Sequence, residues 1–147
     1  KDLPMLVSEH RRSYKEKLEF KDKIFPKAKL SLFLISASRF EGDKILKLLR
    51  SNGIYVDIFH ILWLKPFKFK KSYMKSLLKT KIGLVVDSTY EICGVSEHIA
   101  FKLMHSVQGS KVYNLGMKDR SPGCSPNLLN GTPDAFEIIK KIKTLIK

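Results

Sequence analysis

Two kinds of pattern alternate along this chain: short unbroken apolar runs, and stretches in which apolar residues recur at helical spacing. Leu30-Ser31-Leu32-Phe33-Leu34-Ile35 is a run of strand length, which predicts a strand buried on both faces. Ser38-Arg39-Phe40-Glu41 fits a capping box, with Ser38 as N-cap and Glu41 reaching back to its amide. Ile45, Leu48 and Leu49 follow at helical spacing, and Asn52-Gly53 supplies the left-handed residue that ends a helix. The unit then repeats. Residues 54–64 read as a strand closed by Pro66, and residues 68–79 as a helix with Phe67, Met74, Leu77 and Leu78 on one face. Residues 82–86 form another buried run, ending at Asp87, and residues 95–107 are helical with Ile99, Leu103 and Val107 as the core stripe. A short strand at 111–115 precedes a loop at 117–131 rich in Pro, Gly, Ser and Asn. Thr132-Pro133-Asp134 opens a last helix, with Thr132 as N-cap, and Phe136, Ile139, Ile142 and Ile146 as its apolar face.

Strand–helix alternation four times over predicts an α/β fold: a three-layer αβα domain over residues 30–147, with a mainly parallel sheet of about five strands. Residues 1–29 read differently. Charge dominates from Glu9 to Lys29 with little periodicity, as expected for the end of a preceding domain plus a linker. Because the chain opens on Lys1, it is expected to be part of something longer.

Charge is the compositional outlier. In 147 residues, 28 Lys and Arg face 14 Asp and Glu, a formal net charge of +14. No apolar run approaches the roughly 18–20 residues of a membrane span, so no membrane association is expected. Two cysteines, Cys93 and Cys124, are too few for a four-thiolate zinc site or a disulfide framework. They read as buried or idle thiols in a reducing, cytoplasmic setting. There is no G-x-G-x-x-G, P-loop or H-E-x-x-H motif. His98 and His105 are two turns apart on one helix, roughly 10 Å, too far to share a metal, and read as solvated. His60, inside a strand, reads as a satisfied polar residue near the sheet end. The residues alone therefore assign no catalytic, cofactor-binding or metal-binding side chain.

The strongest electrostatic feature lies between Asp57 and Asp87, where there is no acid. Lys68, Lys71, Lys75 and Lys79 share one helix face there. This permits an alternative reading as a basic nucleic-acid-binding module, since phosphate neutralisation needs clustered cations. Scarce arginine and the lack of a base-reading motif weigh against it.

Several short motifs fall in one order. Ile61-Leu62-Trp63-Leu64-Lys65-Pro66-Phe67 is followed by Lys79-Thr80, then Leu84-Val85-Val86-Asp87, then Gly94-Val95-Ser96-Glu97-His98-Ile99-Ala100. Together they resemble the transketolase C-terminal domain family. Upstream, Glu9-His10-Arg11-Arg12-Ser13-Tyr14 is similar to the stretch that closes the pyrimidine-binding domain in one branch, the beta subunit of the decarboxylating component of 2-oxoacid dehydrogenases, and Pro26-Lys27-Ala28-Lys29 is similar to the Pro-x-Gly-Lys-Ala segment that follows it. The chain departs from the family at His60-Ile61-Leu62 (usually Asp-Leu-Arg), at Lys68 (usually an acid) and at Ser88 (usually a second acid).

The resemblance implies a non-catalytic C-terminal domain of a thiamine-diphosphate-dependent enzyme. The cofactor and its Mg²⁺ would belong to the parent enzyme and not to this portion. The domain would serve subunit assembly in a dimer or heterotetramer, and in the dehydrogenase branch docking to an acyltransferase core. A usually basic docking domain would be repelled by a +14 partner, so the transketolase branch stays open. Candidate interface residues are Trp63 and Phe67, which flank the proline turn, and Gly94 and Glu97, which open the Gly-x-Ser-Glu helix. Trp63 as plain core and Glu97 as a dipole-compensating acid remain the alternatives.

Overall fold

The computed structural model describes residues 4–15, 19–121, 123, 125 and 129–147. Four strands, β1 (Ser31–Ile35), β2 (Asp57–Ile61), β3 (Ile82–Tyr90) and β4 (Lys111–Met117), form one parallel sheet in the order β2-β1-β3-β4. Helices α1 (Gly42–Arg50), α2 (Lys71–Thr80), α3 (Val95–Ser106) and α4 (Ala135–Leu145) connect or follow them. Side chains alternate across β1. Leu32 and Leu34 face a core built with α1 and α4, while Phe33 and Ile35 face one built with α2 and α3. The result is the three-layer arrangement that the alternating pattern predicts. On the α2–α3 side, the rings of Phe33, Phe59 and Tyr73 meet with centroids 4.9 to 5.3 Å apart, in stacked and edge-on arrangements.

Several details correct the sequence expectations. The sheet has four strands instead of about five. Ser38 is not an N-cap. It sits inside a 3-10 turn, Ser36–Glu41, where its hydroxyl accepts the Ile35 N–H and faces the carbonyls of Ile35 and Val86. Glu41 is drawn instead to Arg12, at 2.9 Å. The second strand is confined to five residues and its helix starts at Lys71, because residues 62–70 are spent on an irregular turn with a cis Lys65–Pro66 bond. α4 is capped by Asp134, which exchanges bonds with Glu137, and not by Thr132. That rotation leaves Phe136 exposed, with Lys44 over its ring, and buries Ile138 instead.

One buried polar hub has no counterpart in the sequence reading. Asp57, at the start of β2, is fully buried. Its Oδ1 accepts the Phe25 N–H at 2.7 Å, and its Oδ2 takes the Ser76 hydroxyl at 2.6 Å and the Lys79 ammonium at 2.9 Å. Ser31 extends the network to Ser76 and Thr80, at 2.5 and 2.8 Å. A single carboxylate thus joins the first residue of β2, the last turns of α2 and the segment before β1.

That segment is fastened along the free edge of β2. Lys23 and Ile58 exchange backbone hydrogen bonds in an antiparallel bridge, and the Lys29 N–H reaches Tyr55 O. Asp22 accepts the His60 N–H at 2.8 Å and pairs with Lys70. Phe20 lies on the His60 ring, with centroids 5.2 Å apart. The charged linker is therefore an edge cover, satisfying strand groups that would otherwise template pairing with another chain. His60 departs from expectation, since its Nδ1 is buried with no hydrogen-bond partner among the described residues. Its pKa is lowered to about 4, first by burial and then by the Arg39 charge, with Lys23 adding to the fall and Asp22 and Asp43 opposing it.

Two outcomes follow. Asp57→Ala takes the acceptor from the Phe25 N–H, leaves the Ser76 hydroxyl with Ser31 alone and deprives Lys79 of its counter-charge. It should cost about 3 kcal/mol of unfolding free energy in urea titration, and more than Lys79→Met, whose ammonium sits nearer water. A loss below about 1 kcal/mol would contradict the hub. His60 takes a proton more readily unfolded than folded. Its contribution is therefore complete above about pH 6.5, and stability is lost as pH falls from there towards about 4. The difference in unfolding free energy between His60→Gln and the parent chain, measured across that interval, should change with this sign. A pH-independent difference would contradict it.

Candidate functional site

In an open parallel sheet, ligands and partners meet the carboxyl ends of the strands, above all where successive crossovers leave in opposite directions. Here that point lies between β1, whose connection leads to β2, and β3, whose connection leads to β4. The crevice is closed by the chain itself. Ser38 spans from the end of β1 to Val86 O on β3. Asp87, buried next to it, has both oxygens engaged locally, with the Ser88 N–H and the Thr89 hydroxyl each at 2.7 Å. Ser36 holds φ 51°, a left-handed turn that directs the chain over the strand ends. The Ser38 bonds to Ile35 and Val86 thus tie the two halves of the sheet together at this point.

Further along the same edge, β3 continues past Asp87, where the sequence predicts its end, and shifts register before pairing Tyr90 with Met117. This places Gly94 and Glu97 at the carboxyl edge, as the opening turn of α3. Gly94 is the N-cap, and a Cβ there would strike the Tyr90 carbonyl, so close packing demands glycine. The Glu97 carboxylate accepts the Cys93 N–H at 2.9 Å, which makes it a cap within its own turn, while the residue stays exposed. Cys93 is exposed, so of the two expectations for it, a buried or an idle thiol, the buried one does not apply. Cys124 lies outside the described residues. An open cleft of about 770 Å³ lies between this turn and the segment after β4, bordered by Tyr90, Ile92 and Val95 on one side and Asp119 and Arg120 on the other.

The proline turn after β2 forms the other half of the edge. Leu62, Trp63 and Leu64 are 68%, 60% and 41% exposed. Trp63 is therefore not core. Phe67 is half-buried, packed against the α2–α3 core and edge-on to Phe69 at 4.9 Å. Thus the four residues singled out from the sequence lie on one edge of the sheet, in two groups flanking β1. Arg39, from the 3-10 turn between them, stacks on Phe20 at 4.2 Å. Burial lowers its pKa, opposed by the Asp22 charge, and its Nε has no partner among the described residues. Of the lysine face, Lys79 is withdrawn into the Asp57 hub, while Lys68, Lys71 and Lys75 stand exposed with no ion pair among the described residues. His98 and His105 are exposed, and His105 turns its Nδ1 to Phe101 O.

A diphosphate cofactor held through a divalent metal needs clustered oxygen donors. Among the described residues, no three His, Cys, Asp or Glu side chains are grouped to hold a metal. At the strand ends, Asp87 and Glu97 accept local hydrogen bonds and Glu91 pairs with Lys118. These residues do not fit the metal–diphosphate group. No helix among the described residues is long and apolar enough to cross a membrane.

No protein-family model matches the chain, and no curated protein does. Solved structures do match. A split-gene transketolase, in a structure described as an inactive beta4 tetramer, superposes with a TM-score of 0.67 at 14% identity, covering 98% of this chain and 46% of that one. The 2-oxoglutarate:ferredoxin oxidoreductase from Magnetococcus marinus, solved with 2-oxoglutarate, coenzyme A and succinyl-CoA bound, superposes with a TM-score of 0.63 at 12% identity, covering 92% of this chain and 21% of that one. The chain spans less than half the length of the first and about a fifth of the second. At such identities the likeness is one of fold, and the fold is that of a transketolase C-terminal-like domain.

Proposed function

We propose that this chain is the C-terminal, non-catalytic domain of a thiamine-diphosphate-dependent enzyme of the transketolase or 2-oxoacid oxidoreductase type. Its role in that enzyme is to complete the subunit assembly. The observation that carries the reading is the extent of the superposition, since nearly the whole chain fits less than half of a transketolase chain. The edge chemistry supports it. The crevice at the sheet's switch point is closed by Ser38 and Asp87, while the apolar turn at Leu62–Leu64 is left in water.

In this reading the cofactor and its Mg²⁺ are held by the parent enzyme's other domains. Trp63, Phe67, Gly94 and Glu97 mark the edge that those domains or subunits cover. The dehydrogenase beta subunit is one branch that such a parent could occupy. Docking to an acyltransferase core is then a further role, disfavoured by charge where the docking partner is basic.

A second reading, nucleic-acid binding, draws on the exposed Lys68, Lys71 and Lys75. With Lys79 engaged by Asp57, about three phosphate contacts remain, which supports only weak, sequence-blind association.

Calorimetric titration of the chain with thiamine diphosphate and Mg²⁺ should give no binding heat, while the assembled parent enzyme binds both. Tight binding to the chain alone would refute this division of roles. For the second reading, the logarithm of duplex affinity should fall against log salt with a slope near −3 (about −0.9 per phosphate contacted). Sequence-selective, micromolar binding at physiological salt would reverse the ranking.

A further inference from the structure

The surface that follows β2 combines two features. Its tip is apolar: Leu62, Trp63 and Leu64 stand exposed in succession. Contiguous exposed apolar side chains of this size mark a contact surface. Its flank is cationic and unneutralised: Lys68, Lys71 and Lys75 are exposed without ion pairs among the described residues, and residues 58–86 contain no Asp or Glu. The two nearby lysines that do have acidic partners, Lys70 with Asp22 and Lys79 with Asp57, are paired to the edge segment and to the hub, and so do not offset this charge.

We propose that this surface docks an acidic protein face carrying an apolar recess for Trp63, and that this face belongs to the domain or subunit that completes the assembly. The proposal rests on the assembly reading and adds the chemistry of the partner. Charge selects the occupant. A second copy of the same surface would set lysine against lysine, a like-charge juxtaposition that suppresses association. A flat bilayer that takes up the tip, at the carboxyl edge of the sheet, runs past the side of α2, where Lys75 lies one turn further back. A protein face can follow both surfaces of that corner. Nucleic acid would use the lysines, but Leu62 and Leu64 have neither a ring to stack on bases nor a donor or acceptor to read them. In an acidic protein face, the lysines steer the encounter and Trp63 supplies the buried anchor, the division seen where aromatic residues dominate interface energetics.

The test uses the assembled parent enzyme, formed from this chain and the thiamine-diphosphate-binding domains or subunits that complete it in the proposed function. The dissociation constant of the assembly is measured by analytical ultracentrifugation at 50 and 500 mM NaCl. It should rise at least tenfold between the two. Trp63→Ala should raise it roughly 30-fold at either salt, and Lys68→Gln with Lys71→Gln and Lys75→Gln should abolish the salt dependence. Urea unfolding of the chain alone should be unchanged by each variant, which separates a lost contact from a lost fold. Unchanged dissociation constants in both variants would overturn the proposal while leaving the assembly reading intact. Absence of any assembly with a thiamine-diphosphate-binding partner would overturn that reading and the proposal together. Binding of the isolated chain to 3:1 phosphatidylcholine:phosphatidylserine vesicles, or to a 30-nucleotide single strand, with a blue-shifted emission from Trp63 (the only tryptophan here) would assign the surface to lipid or nucleic acid instead.

Discussion

The carboxylate of Asp57 is the constraint on which the rest of the arrangement depends. A fully buried acid persists only if its oxygens are occupied by donors, and the donors here come from two separate parts of the chain. Phe25 brings the edge segment, Ser76 and Lys79 bring the end of α2, and Ser31, through Ser76, brings the start of β1. This fixes the amino end of the sheet. That end is locked and the free edge of β2 is covered by residues 22–29, while the turn at Leu62–Leu64 stands exposed at the opposite, carboxyl end. The proposed assembly assigns the two ends different work: one holds the domain together, and the other meets a partner.

How much of this was legible in the sequence depends on the kind of pattern involved. The runs at 30–35 and 82–86 read as buried strands, and the stretch at 54–64 as a strand, because both faces of a parallel sheet are covered and apolar residues predominate. The parallel order then followed from the helices between them. Boundaries were less visible where local rules competed with tertiary contacts. Ser38 and Glu41 satisfy a capping-box pattern, but the strand end at Val86 claims the serine and Arg12 claims the glutamate. Thr132 was displaced as a cap because Asp134 finds a reciprocal partner in Glu137.

The hub was missed for a different reason. Asp57 lies inside Val56-Asp57-Ile58-Phe59 and Ser31 inside an apolar run, and a polar residue interrupting a buried strand is a usable signal. Yet nothing local says that Ser76, Thr80 and Lys79 will arrive from α2. Residues 1–29 likewise read as the end of a preceding domain plus a linker, since a charged segment without periodicity carries no trace of the backbone bonds at Lys23 and Lys29 that fasten it. At the carboxyl edge, the sequence singles out Trp63, Phe67, Gly94 and Glu97 as candidate interface residues without saying where they lie relative to one another. Exposure then resolved what sequence could not: Trp63 lies in water, Phe67 is partly core, Gly94 is demanded by the Tyr90 carbonyl, and Glu97 caps its own turn.

The account stands on the carboxyl end of the sheet being the face that the parent enzyme covers. Hydrogen–deuterium exchange, comparing this chain alone with the same chain in the assembled enzyme, tests this residue by residue. Slowed exchange concentrated at residues 61–71 and 91–98, with the amino-end hub already slow in both states, is the predicted result. Slowed exchange confined to the α1–α4 side, with residues 61–71 exchanging equally fast in both states, would contradict it.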